Sequence, residues 1–102
     1  MHLIEIFLPL RDNDGRRLDP TLFARVRSEM VDRFGGLTAF TRAPAEGLWE
    51  TEEGKSSRDE IVIFEVMAEA LDRGWWRAYR EMLERQFGQE EIVIRAREVE
   101  RL

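Results

Sequence analysis

Apolar positions along this chain follow two periods, and the periods alternate in a fixed order. Leu3-Ile4-Glu5-Ile6-Phe7-Leu8 and Ile61-Val62-Ile63-Phe64-Glu65-Val66 are short, β-branched and aromatic runs of strand length. After Asp19 the apolar residues instead fall at Leu22, Phe23, Val26, Met30 and Phe34 and stop at Gly35; after Asp72 the same spacing gives Trp75, Trp76, Tyr79, Leu83 and Phe87, stopping at Gly88. Each of these stretches reads as an amphipathic helix opened by a capping Asp and closed by Gly. Pro20 takes the first helical position, where its missing N–H costs nothing. Leu37 to Arg42 and Glu91 to Arg97 supply the second and fourth strands. The chain is thus written twice, as an internal repeat of strand, helix and strand, with a longer strand-to-helix loop in the first half.

That order is the split βαβ plan of a ferredoxin-like α+β fold, βαββαβ. It predicts a four-stranded antiparallel sheet in the order 4-1-3-2, with two helices on one face. Right-handed crossovers set the first and third strands side by side in the middle, where they are expected to run parallel. Asp12-Asn13-Asp14-Gly15 reads as a tight turn; as a calcium loop it fails, because the glycine and glutamate positions of an EF-hand fall on Arg17 and Phe23. Ala43-Pro44-Ala45-Glu46-Gly47 is expected to break the second strand. Leu48-Trp49-Glu50-Thr51 and Glu53-Gly54-Lys55 then form an extra hairpin leading back into the sheet.

Two helices cover only one side of such a sheet, so alternation decides what each side receives. The covered side takes Ile4, Ile6, Leu8, Val62, Phe64, Val66, Ile92 and Ile94, all apolar. The open side takes Leu3, Glu5, Phe7, Phe40, Arg42, Ile61, Ile63, Glu65, Val93 and Arg95, half apolar and half charged. A patch of that kind calls for a second copy, a partner or a ligand, and an isologous homodimer is the commonest solution. Glu5 and Glu65 sit on the adjacent central strands, with Arg95 and Arg42 on the strands outside them. They form either cross-strand ion pairs that fix register, or a polar floor with carboxylates as acid and base and arginines as anion clamps. The candidate binding or dimer surface is therefore Glu5, Phe7, Phe40, Arg42, Trp49, Ile63, Glu65 and Arg95. Trp49 enters because it stands outside any core periodicity, as a lid on the sheet edge or the wall of a pocket mouth. Trp75, Trp76 and Tyr79, at helical spacing, read as core.

Composition narrows the chemistry. The 102 residues suit one domain, 1–102, with charged residues interleaved among apolar ones. There is no cysteine, which removes disulfides, thiolate metal sites and a cysteine nucleophile. His2, the lone histidine, has no neighbour at ligand spacing, so neither metal nor cofactor is expected. Ser56 and Ser57 lack a nearby base, and Gly35-Gly36 follows a helix where a phosphate loop precedes one. A net charge of −5 gives no electrostatic attraction to nucleic acid or anionic membrane. RNA-recognition domains share this topology, but Phe7 is the one aromatic on the central open-face positions and two carboxylates accompany it. With no signal-like or membrane-length apolar run, a cytoplasmic location is expected.

Gly36-Leu37-Thr38, Gly47-Leu48-Trp49 and Phe87-Gly88-Gln89-Glu90-Glu91-Ile92-Val93 resemble a family of small bacterial ferredoxin-like proteins of unknown function. The resemblance implies the fold and no mechanism. More distantly the topology is similar to dimeric α+β barrel proteins, in which open sheets meet and small organic ligands or cofactor-free oxygenase chemistry are housed. The histidine ligand of their haem-degrading members has no counterpart here. The expected function is small-molecule or protein binding through the open face of a homodimer. One alternative is a cofactor-independent enzyme, oxygenase- or isomerase-like, with Glu5 or Glu65 as base and Arg42 or Arg95 as stabiliser; another is a regulatory subunit of a partner protein. An enzyme needs a carboxylate with a raised pKa in a water-poor pocket, whereas a scaffold needs it paired.

Overall fold

The computed structural model describes residues 1–50 and 56–102, with side chains described outside 42–59. The elements run β1 (His2–Pro9), α1 (Pro20–Phe34), β2 (Thr38–Glu50), β3 (Ser56–Ala68), α2 (Arg73–Gln86) and β4 (Ile94–Glu98). They form a ferredoxin-like α+β fold, with a four-stranded sheet in the order β2-β3-β1-β4. Among the described residues, no helix is long and apolar enough to cross a membrane.

Every strand pair is antiparallel, including β1 with β3, which corrects the parallel central pair expected from the crossovers. The reason is topological. Each helix carries the chain past one strand position, so β1 and β2 point the same way with β3 between them, and the β2–β3 hairpin reverses β3 against both. A second correction concerns the middle of the chain. The break expected at Ala43 to Gly47 is a register shift between Phe40 and Ala45, beyond which β2 and β3 stay paired out to Glu50 and Ser56. Pro44 lies in that shift on an edge strand, where a missing N–H need not interrupt a ladder. In place of the extra hairpin, the structure shows β2 and β3 prolonged; residues 51–55, on which part of that expectation falls, lie outside the described residues. The last strand also starts later than expected, at Ile94, because the Ile92 N–H donates to Glu84 Oε2 of α2 at 2.9 Å.

Local chemistry sets the helix ends. Asp19 Oδ1 accepts from the Thr21 N–H at 3.0 Å, and Gly35, at φ 79°, closes α1 by donating to Val31 O. Asp72 Oδ1 accepts from the Trp75 N–H at 3.1 Å. Asp72→Ala is expected to destabilise the protein by about 1 kcal/mol. It should lower the melting temperature by roughly 4–8 °C in thermal circular dichroism, whereas Asp72→Asn, whose side-chain oxygen still accepts from the Trp75 N–H, should avoid most of the loss.

The core lies between the helices and one side of the sheet. Ile4, Ile6, Leu8, Val62, Phe64, Val66 and Ile92 are buried against Phe23, Val26, Met30, Trp76, Tyr79, Leu83 and Phe87, with Ile94 partly buried beside them. This is the covered-side set that alternation assigns. Where α1 meets α2, Phe34 stacks on Trp76 at 5.3 Å and Trp75 on Tyr79 at 4.9 Å, while the Arg33 guanidinium lies 4.0 Å above the Trp75 ring. These aromatics are packing between helices.

Candidate functional site

Burying the even-numbered residues of β1 and β3 turns Leu3, Glu5 and Phe7, together with Ile61, Ile63, Glu65 and Met67, to the side that neither helix covers. The pairing register then decides which of them meet. Glu5 stands opposite Glu65 on β3 and opposite Arg95 on β4; Phe7 stands opposite Ile63, and Ile63 opposite Phe40. Phe40, Met67 and Val93 are exposed to 49%, 46% and 47%. An apolar rim of that kind surrounds a charged centre.

Glu5 is 8% exposed, the one charged residue buried among the described residues. Arg95 donates from Nε to Glu5 Oε1 at 3.0 Å, and its guanidinium carbon lies 4.7 Å from the Phe7 ring centre. One arginine thus spans a carboxylate and an aromatic face. Glu65 has a different environment. Desolvation raises its pKa above the ordinary value, the charge of Glu5 and a hydrogen bond shared with it raise it further, and Arg97 pulls it back only in part. Like charges directly opposed across a ladder are destabilising, so this centre works against the sheet that carries it. Tyr79, pushed up by burial and by Glu29, is no acid or base near neutrality.

Glu65 also borders a cavity of about 620 Å³ between the end of α1, the start of β2 and the far end of β3. The size suits a small organic ligand. Leu3, Leu37 and Met67 give it apolar wall, Glu65 and Glu69 negative charge, and Arg33 and Arg101 positive charge. Gly35 and Gly36 form part of its lining, and a Cβ added at either would meet nothing within 4 Å. Both signs of charge around an apolar interior are what a zwitterion with a hydrophobic body requires.

The other candidate residues fall as follows. On β2, Thr38 is the residue opposite Glu65; Arg42 lies within the register shift, and its side chain is outside the described residues. Trp49 pairs through its backbone with Ser57, eight residues along β3 from Glu65. That is a separation of about 26 Å at strand rise. Its side chain is also outside the described residues, so the lid or pocket-mouth expectation is not addressed there. Among the described residues, no group of His, Cys, Asp or Glu is placed to hold a metal ion. Arg33, Arg101, Glu69 and Met67 had no sequence signal, because the cavity joins segments remote in the chain.

No protein-family model matches the sequence, so none stands behind the resemblance to the bacterial family of unknown function, and no curated protein matches it either. Among solved structures, the chain is similar to a phage SAM lyase in complex with S-methyl-5'-thioadenosine, with a TM-score of 0.63 at 18% identity, covering 95% of this chain and 80% of that one. It is likewise similar to a phage SAM lyase in the apo state, with a TM-score of 0.60 at 14% identity, covering 94% and 78%. At these identities the likeness is one of fold.

Proposed function

We propose that the open sheet face and the cavity beside it bind a small organic cation or zwitterion of the sulfonium-nucleoside class, with Glu65 as the group that meets the positive charge. The observation that carries this reading is the carboxylate pair at the centre of the sheet. Desolvation and the charge of Glu5 raise the pKa of Glu65, and a ligand cation placed against it offsets both penalties by favouring the ionised carboxylate. Arg33 and Arg101 are available to a carboxylate on the same ligand, and the apolar wall of Leu3, Leu37 and Met67 to a flat or aliphatic part. The fold is shared with a lyase whose complex holds a thioadenosine, which supports the choice of ligand class.

A second reading is favoured by the same raised carboxylate: the site is a cofactor-independent lyase. In such a reaction the electrons of the breaking C–S bond stay on sulfur, which leaves as a neutral thioether. A C–H bond on the carbon next to the departing one supplies the electrons of the new C=C bond, and its proton passes to Glu65. A carboxylate with a raised pKa is the stronger base for that transfer. A second copy of the chain, seated on Phe40, Ile63 and Val93, completes the picture as a homodimer with its apolar rim covered.

Calorimetric titration with S-adenosylmethionine and with S-methyl-5'-thioadenosine, paired with mass spectrometry of the products, tests both readings. Saturable binding of the sulfonium that tightens as pH rises through the titration of Glu65 is expected, since the cation prefers the ionised carboxylate. Release of the thioether identifies the lyase; binding without products leaves the binding reading alone. Absence of heat and of product with both compounds overturns the proposal. Native mass spectrometry of the untagged protein reads the dimer in the same samples.

A further inference from the structure

We infer that the protein has a second ligand site, on the opposite side of the sheet from Glu65, where α2 and the β4 edge hold a phosphate group. The inference is independent of the function proposed for the open face.

The site begins with spacing. Arg73, Arg77 and Arg80 follow one another along a single stripe of α2, beside the stripe of Trp76, Tyr79 and Leu83 that enters the core. Between this arginine stripe and β4 lies a cavity of about 240 Å³, with Ile4, Ile94 and Ala96 among its lining. Ala96 leaves it open, because a residue that small on an edge strand does not reach the helix.

One guanidinium there has a buried donor with nothing to bond, and the others have no acidic partner among the described residues. Arg80 Nε is buried without a hydrogen-bond partner. A buried N–H with no acceptor is costly, and the cost disappears when an anion supplies one. Among the described residues, Arg73, Arg77 and Arg80 have no carboxylate within 4.0 Å, the ion pairs being Arg95 with Glu5 and His2 with Glu98. Arg95, which also borders the cavity, is engaged with Glu5 on the other face of the sheet. The first turn of α2 holds no acidic residue, and Arg73 stands at its positive end, where a cation opposes the helix dipole. The chain carries a net charge of −5, so a basic cluster is not the overflow of a basic protein. The unpartnered Arg80 Nε and the cation at the positive end of α2 are unfavourable in the empty protein and are relieved by an anion.

The geometry points to phosphate over a carboxylate. A carboxylate is satisfied by one guanidinium fork, whereas three arginines lining one small cavity match a tetrahedral dianion with more acceptor oxygens. The cavity has room for the phosphate group, with the rest of a phosphorylated small molecule left outside it.

Two-dimensional ¹H–¹⁵N NMR titration of the full chain with inorganic phosphate, at constant ionic strength held by chloride, tests the inference. Saturable shifts are expected at the amides of Leu71 to Arg80 and Ile94 to Ala96. Arg77→Gln, on an exposed side chain that leaves the core intact, should weaken binding by about tenfold or more. Arg80→Lys, which keeps the charge and removes the fork, should weaken it as well. A phosphate monoester titrated in the same way identifies the source: tighter binding assigns the site to phosphorylated small molecules, equal binding to free phosphate. Shifts that grow linearly without saturation, shifts scattered over the surface, or an affinity unchanged by Arg77→Gln overturn the inference. So does a response to a single-stranded oligonucleotide with none to either phosphate.

Discussion

Glu65→Gln is expected to make the free protein more stable at neutral pH while weakening its hold on a cationic ligand. In the free protein Glu65 stands across the ladder from Glu5, partly desolvated, with its pKa raised. The sign follows from proton linkage. Between the ordinary glutamate value of 4.5 and the raised folded value, the folded state binds more protons than the unfolded chain. Stability contributed by this group therefore falls as pH rises through that window, and the full penalty persists above it. Glutamine removes the penalty, for a gain of about 0.5–1 kcal/mol from relief of a like-charged cross-strand pair. Ligand binding moves the other way: loss of a charge-assisted contact costs about 1.5–3 kcal/mol, or roughly ten- to a hundredfold in affinity. If the site is a lyase, turnover falls further, by about 10²–10⁴ for removal of a general base. Melting curves from pH 5 to pH 8, beside calorimetry on the same variant, read both effects. A variant that is less stable at neutral pH and binds as before would show that Glu65 is structural.

The largest loss of stability is expected at the end of α2. Phe87→Ala should cost about 3–5 kcal/mol, against a total of about 5–15 kcal/mol for a domain of this kind. Phe87 is fully buried and meets Phe23 edge to face at 5.3 Å, so α2 ends on a side chain that pins both helices to the sheet. Phe34 occupies the matching point of the other helical spacing, yet it is only partly buried, among Trp75 and Trp76 at the helix–helix seam. Phe34→Ala should therefore cost less, because water and the neighbouring rings can fill part of the space. Urea unfolding of the two variants compares them. Equal losses would mean that the seam contributes as much as the core beneath it.

Much of the fold was legible because burial repeats in period. Alternation in Leu3 to Leu8 and Ile61 to Val66 placed the buried set and put Glu5, Phe7, Ile63 and Glu65 together on the other side, and Asp19 and Asp72 announced where helices begin. Period says nothing about strand direction or length. The antiparallel β1–β3 pair follows from counting hairpins and crossovers, and the long β2–β3 arm from an edge strand that tolerates Pro44. The arrangement of the open face was legible where partners sit in register, as with Glu5 and Arg95, and hidden where it depends on three-dimensional neighbours. Arg33 and Arg101 border one cavity with Glu65, and Arg73, Arg77 and Arg80 another, and nothing in local spacing separates such arginines from an ordinary solvated face.

The pairing of β1 with both β3 and β4 bears on the order of assembly during synthesis. Of the four strands β1 leaves the ribosome first and is the central strand waiting longest for its neighbours, since Ile6 meets Ile94 and His2 meets Glu98 only after β4 has emerged. The β2–β3 arm, whose partners are close in sequence, closes early; the β1–β4 ladder carries most of the loop-closure entropy and closes last. Until then β1 presents an unpaired edge beside a buried carboxylate that has no guanidinium. The bond from Arg95 to Glu5, across 90 positions, thus makes the open face of the sheet the last part of this fold to mature.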